Sequence, residues 1–371
     1  MRLSLLVVGS ENPRIRDFFS QVARYANVSY LDTSPIKRWP DLDRLAESWR
    51  WRKRGQNPPE ANLVMPKRWR ELSADMANWF CRRRFSEIGK PDAVIFTWPQ
   101  LCALAERFPD ITRVYYCKDP FEMWSWGADF IRPLETRLLK GVDAVFAVSR
   151  LLASDLAPRT PGKTFYLPNG FCDWFVPEQD FSRPADLPSD KPIIGSVGEI
   201  NRDYDWDYVE AVAAALPDVR ICFLGKLKES DTAIHRRIKS IITKTPNVLW
   251  LGWKNYEQVP AYMRHVDILM NFLKADDFGD RRSPLRLYDY LTTDRPIIST
   301  AVREAYEHQP HVHIAPDAGK AIELIRGMLG GRLQPDLESR RQYIRNHSWD
   351  VRAREFLAEL TPIIAAKKRR G

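Results

Sequence analysis

Ser283-Pro284-Leu285-Arg286-Leu287-Tyr288-Asp289-Tyr290-Leu291-Thr292-Thr293-Asp294-Arg295-Pro296-Ile297-Ile298-Ser299-Thr300 is the stretch whose reading decides the fold. Ser283-Pro284 reads as a helix start, with Ser as cap and Pro at the first helical position. Apolar residues then recur at helical spacing, and Pro296–Thr300 follows as a short buried strand. A helix start offers unpaired N–H groups and partial positive charge, which suit phosphate. Arg286, in the first turn, opposes the helix dipole, so it belongs there best when an anion binds nearby. Its guanidinium can grip a diphosphate through two hydrogen bonds. Asp289, one turn further, can accept hydrogen bonds from two ribose hydroxyls. The plainer alternative is a capped helix whose Leu285, Leu287, Tyr288 and Leu291 pack inward.

Outward from this stretch, short apolar runs alternate with longer amphipathic ones. Strands are predicted at Ser4–Val8, Ala93–Thr97, Arg113–Cys117, Ala144–Val148 and Thr164–Leu167. They recur at Pro192–Ser196, Arg220–Leu224, Val248–Leu251, Ile268–Phe272 and Pro296–Thr300. Helices are predicted at Tyr208–Leu216, Thr232–Thr243 and Trp349–Leu360. Alternation of this kind implies parallel sheets with crossover helices. The pattern restarts near residue 190, and 371 residues exceed what one core usually organises. Two domains are therefore expected, 1–167 and 193–346. The proline-rich stretch 168–192 is expected as a poorly packed linker, and 347–371 as a helix returning to the first domain with a basic tail.

No segment reaches the ~18 consecutive apolar residues of a membrane-spanning helix. The apolar start, Leu3–Val8, is too short for a signal-peptide core. The five cysteines are scattered, without CxxC spacing, which fits reduced thiols rather than a zinc site. A cytoplasmic protein, peripheral at the inner face of the membrane, is expected. The net charge of +9 is uneven. Residues 37–84 hold thirteen Lys/Arg against six Asp/Glu, with five tryptophans among them. Trp49, Trp51, Arg52, Arg54, Lys67, Arg68 and Trp69 mark the densest parts. Cationic helices bearing Trp lie well in a bilayer interface, so an anionic membrane surface or the acceptor is the expected partner of these residues. Nucleic acid is the weaker alternative, and a solvated basic face with Trp turned inward is the third.

The second half resembles the nucleotide-sugar-binding domain of GT-B glycosyltransferases, in particular the family 4 type of bacterial polysaccharide and glycolipid biosynthesis. The resemblance rests on Leu167–Phe171, Ile194–Gly198, Phe223–Lys226, Asn247–Gly252, Ser283–Leu291 and Arg295–Thr300, in that order and spacing. It implies an α/β GT-B fold, two Rossmann-like domains with parallel sheets facing a central cleft. It also implies a donor site that takes a UDP- or GDP-sugar as substrate, with no cofactor. The expected donor residues are Gly198, Glu199 and Arg202 after one strand and Lys226 after the next. Trp253, Lys254 and Tyr256 follow a third, and Arg282, Ser283, Pro284, Leu285, Arg286 and Asp289 complete the set. The resemblance puts a backbone cradle for the base near Trp253, which can also stack on it. At Asp289 the family usually has Glu. Its frequent acidic partner eight positions upstream falls on Arg281, a departure that leaves the handling of the donor sugar open.

Catalysis calls for a group from the first domain. The first histidine is His235, so a carboxylate must serve if a side-chain base is needed. Asp119 is the leading candidate, since it follows the strand Arg113–Cys117 and precedes Pro120, which favours an extended backbone. Glu122 and Asp129 are alternatives. In an inverting reaction Asp119 would deprotonate the acceptor. In a retaining one, the course of family 4, the departing phosphate would take the proton and Asp119 would orient or stabilise. No trustworthy pair of metal carboxylates is evident, and no metal requirement is expected.

The expected activity is transfer of a hexose or uronic acid to a lipid-linked or polysaccharide acceptor. A sugar-nucleotide epimerase or hydrolase on the same fold is one alternative. A basic membrane- or nucleic-acid-binding protein with a degenerate donor site is another.

Overall fold

The computed structural model describes residues 2–10, 13–36, 60–66, 79, 82–83, 85–86, 89–123, 128–171, 181–228 and 232–370. The chain divides into two compact units. Unit 1 is Met1–Gly170 with Trp349–Gly371, and unit 2 is Phe171–Ser348.

Unit 1 is built on β1 (Ser4–Val8), β2 (Asn27–Ile36), β3 (Glu60–Pro66), β4 (Ala93–Phe96), β5 (Thr112–Cys117), β6 (Ala144–Ala147) and β7 (Lys163–Tyr166). They form one parallel sheet in the order β3-β2-β1-β4-β5-β6-β7. Strands covered on both faces must be apolar throughout. Leu5–Val8, Ala93–Phe96 and Ala144–Ala147 are accordingly all buried. Helices α1 (Pro13–Val22), α2 (Ala128–Gly141) and α3 (Arg150–Leu156) link the strands. Ser149 caps α3, its hydroxyl accepting the Leu152 N–H.

Two strands of unit 1 go beyond the sequence reading. β2 is ten residues of mixed polarity, without the apolar run that marked its neighbours. β3 is an edge strand ending at Pro66, a residue tolerated at sheet edges. It lies inside the basic segment 37–84, in which the sequence reading placed no strand. Trp49, Trp51, Arg52, Arg54, Lys67, Arg68 and Trp69 lie outside the described residues.

Unit 2 carries β8 (Ile193–Val197), β9 (Arg220–Leu224), β10 (Val248–Trp250), β11 (Ile268–Asn271), β12 (Ile297–Ser299) and β13 (His313–Ile314). This sheet is also parallel, in the order β10-β9-β8-β11-β12-β13. Its helices are α4 (Trp206–Ala215), α5 (Ala233–Lys244), α6 (Val259–His265), α7 (Leu285–Leu291), α8 (Ala318–Leu329) and α9 (Leu337–Arg345). From β8 the chain runs outward to β9 and β10, then crosses to β11 on the other side. Such a reversal opens a crevice at the carboxyl ends of the two central strands, where ligands bind in open α/β sheets.

The described part of the proline-rich stretch, 181–192, is largely exposed but pinned by side-chain hydrogen bonds. Leu187 is buried. Asp186 accepts hydrogen bonds from Lys254 at 2.6 Å and from the Tyr262 hydroxyl at 2.5 Å. Arg183 donates to the carbonyls of His265 and Pro188.

The last helix, α10 (Trp349–Arg370), belongs to unit 1. Trp349, Ala353, Phe356, Leu360 and Ile364 recur on one face and are all buried. Phe356 meets Phe18, Phe19 and Phe146, and Trp349 meets Phe18. Burying four such large side chains contributes roughly 6–12 kcal/mol as an upper bound. The helix runs on past Leu360, with Pro362 on its exposed side.

Candidate functional site

Three glycines end the first three strands of unit 2. Gly198, Gly225 and Gly252 follow β8, β9 and β10 with φ of +132°, +147° and +76°. Each lies in the region that glycine alone adopts cheaply. The chains also approach closely there. A Cβ on Gly225 would meet the Gly198 carbonyl at 2.0 Å, and one on Gly198 would meet Arg286 Nη2 at 2.8 Å. Backbone hydrogen bonds from Gly198 to Leu224 and from Gly225 to Gly252 extend the sheet into this shelf.

Arg286 lies across the shelf. It stands in the first turn of α7, yet its guanidinium reaches back to the loop after β8. There Nη1 donates to the Tyr204 hydroxyl at 2.6 Å, and the cation lies 4.7 Å from the Tyr204 ring centre. Burial works against its charge, but Tyr204, Tyr290 and Asp203 outweigh that, and its pKa is held above the ordinary value. Among the described residues Arg286 forms no ion pair.

Two loops from either side of the reversal are clasped around this cation. The Asp205 N–H donates to the Phe272 carbonyl, and the Lys274 N–H to the Asp203 carbonyl. Tyr204 bridges to Leu273. Asp203 also takes the Arg282 guanidinium at 2.9 Å. Tyr290 is buried, and its hydroxyl accepts the Val197 N–H at 2.7 Å. On the far side of α7, the buried Arg340 donates to the carbonyls of Thr293, Arg295 and His311. Burial pulls the Arg340 pKa down to about 10.

The other expected donor residues fall out as follows. Arg202 and Lys226 are exposed beyond β8 and β9. Glu199 is exposed and accepts from Asn201. Trp253 is 64% exposed beyond β10. Tyr256 opens a short turn, Tyr256–Gln258. Asp289 is half-buried on α7.

Two expectations about this helix are corrected. Helix α7 starts at Leu285 with Pro284 as its cap residue, so Ser283 and Pro284 lie outside the helix. No side chain caps it, and it has only seven residues. Leu285 is half-buried instead of turned inward. Lys254 is engaged by Asp186, and that pairing raises the lysine pKa and lowers the aspartate's. Arg281 pairs with Asp277 one turn away.

In unit 1 the sheet's carboxyl end holds Asp119, half-buried two residues beyond β5. Its carbonyl accepts the Phe121 N–H at 2.9 Å and faces the Cys117 thiol at 3.4 Å. Glu122 is committed elsewhere, to Arg159 at 2.6 Å and Arg132 at 3.1 Å. Asp129 is exposed in the first turn of α2, where a negative charge suits the helix dipole. Of the three carboxylates, Asp119 alone follows directly on a central strand.

Sequence reasoning missed Tyr204, Tyr290 and Asp203 in unit 2, and Glu135 and Arg159 in unit 1. Glu135, on α2, is 3% exposed and accepts the Tyr115 hydroxyl at 2.8 Å. Burial, aided by neighbouring Glu122, pushes its pKa up to about 7. A Glu in the apolar face of a helix, as in Leu134-Glu135, was the available signal.

No protein-family model matches the chain. Over 171 residues it is 23% identical to the "Putative teichuronic acid biosynthesis glycosyltransferase TuaH" of Bacillus subtilis, which covers 44% of this chain. The match takes in 42% of that relative, less than half its length. Among solved structures, sucrose-phosphate synthase from Thermosynechococcus elongatus superposes with a TM-score of 0.72 at 15% identity. That superposition covers 98% of this chain and 100% of the other. The Anabaena protein HepE in complex with UDP gives 0.69 at 13% identity, with 98% and 100% covered. Trehalose-6-phosphate from E. coli bound with UDP-2-fluoro glucose gives 0.68 at 10% identity, with 96% and 98% covered. Two parallel Rossmann-like sheets, each with its own reversal of strand order, and these superpositions over nearly the whole chain give it the fold of the bacterial GT-B glycosyltransferases.

Proposed function

We propose that the protein is a glycosyltransferase that moves a sugar from a nucleoside-diphosphate sugar to a lipid-linked or polysaccharide acceptor, without a metal ion. One observation carries the reading: the Arg286 guanidinium, half-buried on the glycine shelf of unit 2, with no ion pair among the described residues. A cation held there is complementary to an anion arriving at the sheet's carboxyl end. A diphosphate supplies that anion, and Arg202 and Lys226 on the adjoining loops add charge as it leaves. Stabilising the leaving diphosphate is electrostatic catalysis by groups already in position. Asp289 takes the ribose hydroxyls and Trp253 stacks on the base. Solved structures that share the fold hold UDP or a UDP-sugar, which supports the donor class.

Asp119 is the proposed group in unit 1. In an inverting reaction it removes the acceptor hydroxyl proton, the C–O bond to the new sugar forms, and the bond to the diphosphate breaks. In a retaining reaction the leaving phosphate takes that proton and Asp119 orients the acceptor. The described residues include no helix long and apolar enough to cross a membrane. We place the enzyme at the inner membrane face through the basic, Trp-rich segment.

A thermal-shift panel of UDP, GDP and their sugar conjugates tests the reading. A ligand at a hundredfold excess over its Kd stabilises the folded state by about 2.7 kcal/mol, enough to move the melting temperature visibly. No shift with any member would sink the donor site. Transfer unchanged by a chelator is expected, and loss restored by a divalent cation would overturn metal independence. Free sugar released without acceptor, at the rate of transfer, would favour the hydrolase.

A further inference from the structure

We propose that Arg159 is a positioning residue, which holds the turn Asp119–Met123 by gripping Glu122 of that turn and the buried Glu135 of α2 on one guanidinium. The inference rests on the reading of Asp119 as the group that acts on the acceptor.

Three parts of unit 1 converge on Arg159. Its Nη2 lies 2.6 Å from Glu122 Oε1 and 3.1 Å from Thr136 Oγ1. Its Nη1 lies 3.6 Å from Glu135 Oε2. Arg132, also on α2, takes the second oxygen of Glu122 at 3.1 Å. Glu135 is met from β5 by the Tyr115 hydroxyl at 2.8 Å and by the Cys117 thiol at 4.0 Å. That thiol also faces the Asp119 carbonyl at 3.4 Å. The turn is thus fastened at both ends, at Asp119 through Cys117 and at Glu122 through Arg159 and Arg132. Between them run two backbone bonds, Phe121 N–H to the Asp119 carbonyl and Met123 N–H to the Pro120 carbonyl.

The charges explain why Arg159 is needed. Glu122 and Glu135 are near neighbours, and two carboxylates in so dry a place repel strongly unless a cation or proton lies between them. Arg159 bridges both. With a neutral residue at 159, Glu122 is expected to turn outward toward Arg132, whose side chain is 66% exposed. The turn that carries Asp119 then loses its inner anchor. Neither carboxylate touches substrate in this account, so the effect on turnover passes through Asp119.

Hydrogen–deuterium exchange across residues 118–123 tests the anchoring directly, on the full chain with no substrate. Arg159→Gln is expected to speed exchange there at least tenfold relative to the wild type at the same pH. Exchange over 193–228 in unit 2 should not change. Arg159→Lys, which keeps the charge, should recover part of the protection and serves if the glutamine variant does not fold. Unchanged exchange at 118–123 in the variant that folds would overturn the proposal. The link to catalysis is read from UDP release with UDP-glucose and UDP-glucuronate. In the wild-type background Arg159→Lys should lower kcat about tenfold with nucleotide Kd unchanged. In the Asp119→Asn background it should cost nothing more. Equal losses in both backgrounds would make Arg159 merely structural. Wild-type turnover in Asp119→Asn would instead remove the role of Asp119 and leave the anchoring to stand on exchange alone.

Discussion

The two units share one plan, a parallel sheet with its strand order reversed beside the first strand, yet they arm its carboxyl end in opposite ways. In unit 2 the loops after β8 and β9 and the first turn of α7 bring cations, Arg202, Lys226 and Arg286, that have no ion pair among the described residues. In unit 1 the turn after β5 and the neighbouring helix α2 bring carboxylates, and two of these, Glu122 and Glu135, are tied to arginine. A surface that keeps cations unmatched is suited to receive an anion. A surface that fastens its carboxylates is suited to aim one of them. The comparison teaches that charge balance within each unit says more about its task than the sheet does, since the sheet is common to both.

The largest expected effect breaks unit 1's half of the comparison. Asp119→Asn should lower kcat by about 10²–10⁴-fold, the usual contribution of general acid–base catalysis, with donor affinity unchanged. Steady-state kinetics with separate nucleotide titration checks it, and a fall in affinity alone would move Asp119 out of the catalytic role. Next is Asp289→Ala in unit 2, which should weaken UDP or GDP binding about ten- to hundredfold by removing a charged hydrogen-bond acceptor. Calorimetry decides, and unchanged affinity would strike Asp289 from the site.

A third effect sharpens the contrast through pH. The folded-state pKa of Glu135, about 7, stands above its ordinary 4.5. Below pH 4.5 both folded and unfolded chains hold the proton. As pH rises toward 7 the unfolded chain releases it first, and the folded state loses stability. Glu135→Gln cannot titrate, so its stability relative to the wild type should improve from pH 5 to pH 8, by on the order of a few kcal/mol. Urea denaturation across that range tests the sign. The smallest effect is expected at Lys254. Its pairing with the half-exposed Asp186 makes Lys254→Met worth under about 1 kcal/mol in stability, with nucleotide affinity within twofold. A tenfold loss of affinity would assign Lys254 to the donor site.

Much of the fold is legible because the central parallel strands are continuous apolar runs, and ten of the thirteen strands among the described residues are found from apolar runs. β2 escaped because its residues are mixed in polarity, β3 because it is an edge strand within a basic segment, and β13 because it has two residues. Arg286 could be singled out because a cation in a helix's first turn is locally unfavourable. Its true surroundings could not, because Tyr204 lies 82 residues away and reaches it only when two loops cross. Ser283-Pro284 misled for a local reason: Pro284 takes the cap position with ψ of 101°, so the helix starts one residue later. Glu135 was hidden because its partners come from β5 and from residues 122 and 159, which no local pattern connects.

Arg286 on the glycine shelf is proposed to receive a nucleoside diphosphate. Calorimetric titration of UDP and GDP into the wild type and into Arg286→Met tests it most directly, with UMP and GMP as controls. The expected result is saturable binding of one diphosphate, weakened about a hundredfold in the variant, with a smaller loss for the monophosphate. Equal affinity for the diphosphate in a folded Arg286→Met would contradict it.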